Sequence, residues 1–454
     1  MNFDVVVIGG GSAGYAAASK AQSKGAKVAI VDKGPLGGLC ILRGCMPTKT
    51  ILRSSDILAL MRRAKEFGLS VQNPSADLSS INDRKNRLIT EFTNYRIEQL
   101  NDPRFTLIKG NASFLSPHEL EVSQTIVRAK NFIIATGSTI AEYPVPGLAE
   151  SDFLTSDDIL GLRQIPESMV VLGAGPVAVE LAQFFCRIGT RTTLIQRSNH
   201  ILSKGDADLA RPIETRFREE GMELYTGTKL LRVDSSGNSR TTFFTHEGNE
   251  KAVTSKTILQ ALGRKPNIDG LNLSAALVNT NKGRIEVDHE MRTSIPHIYA
   301  VGDVNGLHEI VHIAIEQGEI AAHNATQKDT RRFHERLKTS ITFTDPPVAS
   351  VGLSEKECKE QSIPYLISSY PFDDHGKSLC MGETLGHVKL LCALDSGEII
   401  GVHIVGPEAG ELIHQMVTLM HYKGTVHDLI KIPHYHPTLS EIFTYPAEEL
   451  AKYL

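Results

Sequence analysis

The sequence predicts an α/β protein built on two parallel strand, helix, strand units, with a mixed strand and helix region after them. Three observations predict it. A glycine-rich turn joins an apolar strand to an alanine-rich helix at the N-terminus, the same grammar recurs about 160 residues later, and short strands and helices run from about Ile341 to Leu454.

Taken in order, DVVVI (Asp4–Ile8) reads as a buried strand, and the run from Gly9 to Gly25 opens on glycines and continues as a helix. KVAIVD (Lys27–Asp32) is a second buried strand, which makes the first unit a parallel βαβ. GCMPTKTILRSSDILALMRRAKEFG and INDRKNRLITEFTNYRIEQL carry helical periodicity, and short strands then lead to KNFIIATGS. YPVPGL (Tyr143–Leu148), with two prolines and a glycine, reads as a linker. Beyond it MVVLGAGP leads into the apolar-periodic VAVELAQFFCRIG and then TRTTLIQR, the second unit. Another boundary falls near ALGRKPN (Ala261–Asn267), and HIYAVGDVNG (His297–Gly306) is a further buried strand ending in Gly-Asp.

At 454 residues, 41% hydrophobic and 22% charged, the chain can bury two or three cores. A formal charge of -4 and no block of like charges imply neither nucleic acid nor an anionic membrane as partner. The N-terminus shows no secretory pattern, and no apolar run approaches the roughly 20 residues of a spanning helix, so a cytoplasmic address is the default expectation. Six cysteines are too sparse for a disulfide-stapled fold, and only Cys40 and Cys45 stand close together.

Gly9, Gly11 and Gly14 form G-x-G-x-x-G between strand and helix, a spacing that brings a pyrophosphate close to the helix N-terminus. Asp32 ends the next strand 18 residues after Gly14, where a carboxylate can accept hydrogen bonds from a ribose diol. In the second unit Gly173, Gly175 and Ala178 form G-x-G-x-x-A, and the same offset reaches Gln196, followed by Arg197. A neutral amide and a cation there lean toward NADPH over NADH; a solvated surface arginine is the competing reading.

Cys40 and Cys45 lie in GGLCILRGCMPTK at the start of a long helical pattern. The positive end of the helix dipole, Arg43 and Lys49 together favour a lowered thiol pKa. Lys49 is one turn after Cys45 on the same face, and Pro47 suits a first turn. Spacing alone permits a redox disulfide, half a metal site or two unrelated thiols; metal is the poorest fit, with no second Cys/His pair nearby.

In sequence order GGGSAG, GGLCILRGCMPTK, IIATGS, GAGPVAVE, ALGRKPN, AVGDV and HYHPTLSE resemble the FAD-dependent pyridine nucleotide-disulfide oxidoreductases over nearly the whole chain. That family includes dihydrolipoamide dehydrogenase, glutathione reductase and mercuric reductase. The resemblance implies two Rossmann-like dinucleotide-binding domains plus a C-terminal α+β dimerisation domain: residues 1–145 and 264–336 for FAD, 146–263 for NAD(P), and 337–454 for a homodimer interface. It implies FAD contacts from Gly9, Gly11, Ser12, Ala13 and Gly14, from Asp32, Lys33 and Gly38, and further along from Ala112, Thr136, Gly137, Gly302, Asp303 and Ala314. It implies NAD(P) contacts from Gly173, Gly175, Pro176 and Val177, from Glu180, and from Gln196, Arg197 and Gly263.

By the same resemblance Cys45 faces the flavin, Cys40 exchanges with a small or protein-bound disulfide or dithiol, and Lys49 sits by flavin N5, paired with Glu180. His436 is the acid/base imidazole, oriented by Glu441 and contributed by the other subunit, while neighbouring His434 reads as structural. The chain departs from the family's GGTCxNVGC at Leu39, Leu42 and Arg43. Arg43 either selects an anionic substrate, depresses a thiol pKa, or is a solvated side chain. Pro176 replaces the aromatic gate of some members. The lack of C-terminal vicinal cysteines and of an N-terminal metal-binding extension counts against mercuric reductase; FDDHGKSLCMGETLGHVKLL looks more like the dihydrolipoamide dehydrogenase branch than the glutathione reductase branch, and the missing ribose carboxylate for NAD cuts the other way. The expected activity is thus NAD(P)H-dependent disulfide reduction through FAD. The alternatives are an NAD(P)H oxidase, transhydrogenase or quinone reductase, and a non-catalytic redox-responsive flavoprotein.

Overall fold

The computed structural model describes residues 1–454, which pack as two compact units. The first comprises Met1–Thr50, Asn82–Glu142 and Gly263–His334, and the second Ile51–Ile81, Tyr143–Leu262 and Glu335–Leu454.

The chain opens with β1 (Asn2–Ile8), α1 (Ser12–Ser23) and β2 (Val28–Asp32), β1 lying parallel to β2 with Val5 opposite Val28. Val5, Val6 and Val7 are wholly buried, the continuous apolar run expected of a strand covered on both faces. Next come α2 (Gly38–Leu42), α3 (Cys45–Arg62), α4 (Leu78–Leu100), β3 (Phe105–Lys109), β4 (Ala112–Ser116), β5 (Glu119–Val122), β6 (Thr125–Ile134) and β7 (Ser138–Ile140). Their sheet has the order β3-β2-β1-β6-β5-β4, parallel through β6, with β5 and β4 returning antiparallel.

The second unit repeats the pattern with β8 (Ser168–Leu172), α5 (Pro176–Ile188), β9 (Arg191–Ile195), α6 (Ala207–Glu219) and β10 (Glu223–Tyr225). An antiparallel meander of β11 (Lys229–Ser236), β12 (Ser239–His246) and β13 (Asn249–Ser255) precedes β14 (Thr257–Gln260), which completes the parallel sheet β10-β9-β8-β14. The α5 helix is buried on almost every side, Arg187 included. That guanidinium meets three carboxylates: Asp56 at 2.9 Å, Glu220 at 2.6 Å, and Asp345.

Back in the first unit, β15 (Arg264–Pro266) pairs with β7, and β16 (Thr280–Asn281) with β17 (Arg284–Ile285). Then β18 (Ile298–Ala300) adds to β6 in parallel, and α7 (Val311–Thr326) packs on α1. A Cβ at Gly318 would run into the carbonyl of Ala13, so only glycine lets these helices approach so closely. The C-terminal part holds β19 (Thr339–Thr342), β20 (Val348–Gly352), α8 (Glu355–Glu360), β21 (Tyr365–Pro371), α9 (Gly376–Met381), β22 (His387–Ala393), β23 (Ile399–Val405), α10 (Ala409–His421), α11 (Val426–Lys431) and α12 (Thr444–Ala451). Its antiparallel sheet has the order β19-β20-β23-β22-β21. This mixture matches the expected α/β class with an α+β C-terminal part.

Residues 51–81 pack in the second unit. Ile51, Leu52, Leu58 and Leu78 join the core that also holds the apolar face of α5, and apolar burial decides their membership. No helix is long and apolar enough to cross a membrane.

Candidate active site

In the first unit the expected cofactor residues gather where parallel strands end. Gly9 follows β1, Asp32 closes β2, Ala112 follows β3, Thr136 and Gly137 follow β6, and Gly302 follows β18. That carboxyl edge, where neighbouring connections leave β1 in opposite directions, is where open α/β sheets bind ligands. The backbone supports a phosphate cradle. Gly9 holds φ +107°, a Cβ at Gly14 would strike the carbonyl of Gly9, and one at Gly38 would lie 2.6 Å from the Cα of Gly11. Gly11 caps α1 without any side-chain hydrogen bond, so the first-turn N–H groups of Ser12, Ala13 and Gly14 face outward from the helix end.

The Asp32 carboxylate accepts the N–H of Gly10 and of Gly34, each at 2.6 Å. A carboxylate has about four acceptor positions, which leaves capacity for a ribose diol. Lys33 beside it is exposed. Asp303 is pushed up by burial, against which Ser138 donates to it at 2.7 Å and the Arg264 cation lies near. Arg264 in turn donates to Ser138 Oγ at 2.8 Å. Ala314 of α7 stands 3.2 Å from where a Gly302 Cβ would sit, while Ala112 packs in the core of β4 and offers a ligand only its backbone. The glycine cradle and the two carboxylates fit FAD.

The second unit has the same edge. Gly173 after β8 holds φ +99°, with a would-be Cβ 2.6 Å from the carbonyl of Ala261, and Gly175 caps α5 in open space. Pro176 occupies the first turn and Val177 is 42% exposed beside it. Glu180, one turn further, is buried and accepts the Phe343 N–H at 2.9 Å. Gln196 follows β9 and its Oε1 accepts the Arg197 N–H at 3.2 Å, with Arg197 itself exposed. Gly263, expected to contact NAD(P), falls on the first-unit side, where its carbonyl accepts the Ala141 N–H.

The thiols sit at a break between two helices. Cys40 belongs to α2, the exposed Arg43 caps that helix, and Cys45 begins α3, so Cys45 holds the N-terminal position expected for it. Cys40 hydrogen-bonds to Cys45, and this contact, more than burial, pushes the Cys40 thiol well above its usual range. Lys49 pulls the other way as the weakest influence. A lowered thiol pKa was expected of the pair; for Cys40 the structure corrects it. Two sulfurs this close share one proton before either dipole or cation decides the matter.

In the C-terminal part His436 directs Nδ1 at Glu441, 3.0 Å from Oε2 and 3.1 Å from Oε1. The imidazole is 78% exposed while the carboxylate is almost covered. An ionised Glu441 can only accept, so Nδ1 carries the hydrogen and Nε2 is the basic nitrogen. His434 uses Nδ1 on the Ile432 carbonyl and has no such carboxylate.

Residues 3–318 match the family described as pyridine nucleotide-disulphide oxidoreductase, and residues 339–447 match its dimerisation domain. The chain belongs to that family. Its members depend on FAD and a pyridine nucleotide, and the dimerisation domain fits a homodimer. Mercuric reductase of Staphylococcus aureus is 36% identical over 91% of this chain and 76% of its own length. Dihydrolipoyl dehydrogenase of Bacillus subtilis (strain 168) is 34% identical over 92% of each. The Cu(II) complex of the HOCl-induced flavoprotein disulfide reductase RclA from Escherichia coli superposes with a TM-score of 0.87 over 99% of this chain and 100% of that one; at 23% identity the likeness is one of fold. The two enzymes are similar to this chain to nearly the same degree, so the likeness fixes no specific substrate.

Several residues of these sites were not singled out in the sequence. Ser138 and Arg264 lie in motifs quoted there, IIATGS and ALGRKPN, and only the fold brings them to Asp303. Arg96 of α4 lays its guanidinium over the Tyr15 ring at 4.4 Å, and burial pulls its pKa below the usual arginine value. His375 and Ser378 lie in the quoted stretch FDDHGKSLCMGETLGHVKLL, where neither was given a role.

Proposed function

We propose that the chain is a flavoprotein disulfide reductase in which Cys40 exchanges with a disulfide or dithiol substrate and Cys45 faces the flavin. His436, held by Glu441, manages the exchange proton. The observation that carries this reading is the Cys40 to Cys45 hydrogen bond at the head of α3, since a pair that shares a proton is close enough to cycle between dithiol and disulfide. Bound FAD supplies two-electron chemistry between nicotinamide and thiols. The residues that would hold it are the glycines of the first cradle with Asp32 and Asp303, and those that would hold the nicotinamide cofactor are Gly173, Gly175 and the neighbourhood of Gln196.

Each group then has a task. The high pKa of Cys40 keeps it protonated until a base removes the proton, and the exposed Nε2 of His436 serves that purpose in a second protomer. Glu441 fixes the tautomer, and the imidazolium formed when Nε2 takes the proton later returns it to the departing thiolate. NADPH is the preferred donor, supported by the absence of a carboxylate at Gln196 and the cation of Arg197 next to it. Disulfides come first among substrates, and similarity to a mercuric reductase adds Hg(II) as one to assay.

The test is turnover by the FAD-loaded homodimer with NADPH and NADH, against lipoamide, glutathione disulfide, Hg(II), a quinone and oxygen. Disulfide or Hg(II) reduction lost in Cys40→Ser and His436→Gln supports the reading. Oxygen or quinone reduction that survives both substitutions, with no disulfide turnover, makes the chain an oxidase or quinone reductase instead.

A further inference from the structure

Arg96 carries a charge that no other side chain balances. It stands one turn before the end of α4, half-buried, with its guanidinium over the Tyr15 ring at 4.4 Å. Its Nε and Nη1 are buried without a hydrogen-bond partner, and no carboxylate pairs with the cation. An arginine starts so far above neutrality that it stays charged in such a place. The aromatic face offsets part of the lost hydration, but it supplies no acceptor for the N–H groups. The Oε1 of Gln99, three residues on, is also unpartnered; a neutral amide cannot balance the charge.

The surroundings put this cation beside the exchanging thiol. Tyr15 stands one turn into α1, where its N–H donates to the Gly11 carbonyl at 2.9 Å. Gly11 in turn presses on the start of α2, since a Cβ on Gly38 would lie 2.6 Å from the Gly11 Cα. Cys40, only partly buried, is two residues after Gly38 in the same short helix. Tyr15 and Cys40 thus spring from two backbones in contact, and Arg96 is near both. Toward the ribose end the neighbours turn apolar. Leu100, fully buried, packs on Gly10 beside the Asp32 carboxylate, and the Tyr15 ring meets Phe105 edge-on at 6.3 Å. The pyrophosphate cradle, for its part, has donors of its own in the first-turn N–H groups of α1.

We propose that Arg96 is a specificity-determining residue that binds a carboxylate of an anionic disulfide substrate while Cys40 engages its sulfur. The planar fork matches a carboxylate with two parallel hydrogen bonds, and the half-covered setting makes that pair stronger than in open water. The long side chain lets the fork turn toward the ligand without moving α4. Such a substrate brings the acceptor oxygens that Nε and Nη1 lack, so its binding removes the cost of the unsatisfied donors as well. The inference rests on the reading of Cys40 as the thiol that exchanges with substrate.

The experiment compares kcat/KM of the FAD-loaded homodimer for dithiodipropionate and for its diamide, two disulfides that differ only in carboxylate against carboxamide. Wild type is expected to favour the diacid, and added salt to narrow that preference. In Arg96→Gln the preference falls by about 10–100-fold, the range for a hydrogen bond to a charged group, with KM affected more than kcat. Arg96→Lys keeps the charge without the fork and retains part of the preference; it carries the test if Arg96→Gln does not fold. Gln99→Leu keeps the wild-type preference. FAD affinity of each apoprotein is titrated by flavin fluorescence alongside. A wild type that does not favour the diacid overturns the proposal, as do equal losses toward both disulfides in Arg96→Gln. A preference that survives Arg96→Gln and vanishes in Arg43→Gln assigns selection to Arg43 and overturns it too. So does a fall in FAD affinity with the preference intact, which gives the guanidinium to a cofactor phosphate. Disulfide turnover that survives Cys40→Ser, or none in wild type, overturns the underlying reading instead.

Discussion

His436 Nδ1 lies 3.0 Å from Glu441 Oε2, and five residues of sequence separate them. The turn that joins them includes a cis His436–Pro437 bond and the short helical segment Leu439–Phe443, which sinks Glu441 while leaving His436 in solvent. Replacing His436 by Gln removes the proton manager. Disulfide turnover is expected to fall by about 10²–10⁴, the usual worth of a general acid/base, while the rate at which NADPH reduces the bound flavin, followed by stopped-flow absorbance, stays near wild type.

The Cys40 thiol is raised chiefly by its bond to Cys45. Substituting Cys45→Ala therefore lowers the Cys40 pKa, and a lower pKa means more thiolate at a given pH. Alkylation of Cys40 by iodoacetamide, followed by mass spectrometry from pH 6 to 10, is expected to begin at lower pH in Cys45→Ala than in the reduced wild type. An unchanged onset would assign the shift to burial.

Gly14 has no room for a side chain, because a Cβ there meets the Gly9 carbonyl. Gly14→Ala must displace the turn that cradles the pyrophosphate, so the variant is expected to purify with little flavin absorbance while far-UV circular dichroism stays close to wild type.

Arg187 is 3% exposed among Asp56, Glu220 and Asp345. Removing one partner of a buried ion network leaves uncompensated charge, at a cost of about 3–5 kcal/mol. Arg187→Ala should show that loss in urea unfolding of the apoprotein, whereas Arg191→Ala, with an exposed partner at 4.0 Å, should lose under about 1 kcal/mol.

Lys389 is buried between Asp206 and Asp208, each at 2.8 Å. Burial alone would raise Asp206, but the ammonium and the N–H groups of Glu355 and Lys356 outweigh it and hold the carboxyl below its usual range. A depressed acid stabilises the fold above its unfolded pKa near 3.8 and loses that contribution as pH falls through the folded value. Asp206→Asn should flatten the loss of stability below about pH 4, read from unfolding temperatures in an acid series.

Much of the fold was legible because its signals are local. The strand DVVVI, the glycine turn and the helix after it are contiguous, and Asp32 could be placed by counting from Gly14. Cys45 could be put at a helix start for the same reason, whereas Cys40 lies in the separate short helix α2. What could not be read depends on tertiary approach. His375 reaches Glu441 from 66 residues away, the sharing of a proton between Cys40 and Cys45 depends on their distance, and the allegiance of residues 51–81 depends on which core their leucines find. Local charge reasoning weighed Arg43 and Lys49 and so missed the direction of the Cys40 shift.

The central claim is that electrons from the nicotinamide cofactor reach the Cys40–Cys45 pair. Anaerobic reduction of the FAD-loaded homodimer with one equivalent of NADPH per protomer, followed by thiol counting under denaturing conditions, tests it most directly. Two additional thiols per protomer, mapped to Cys40 and Cys45 and accompanied by a long-wavelength absorbance that Cys45→Ser abolishes, are the predicted result. Reduced flavin with no gain in thiols would contradict the account.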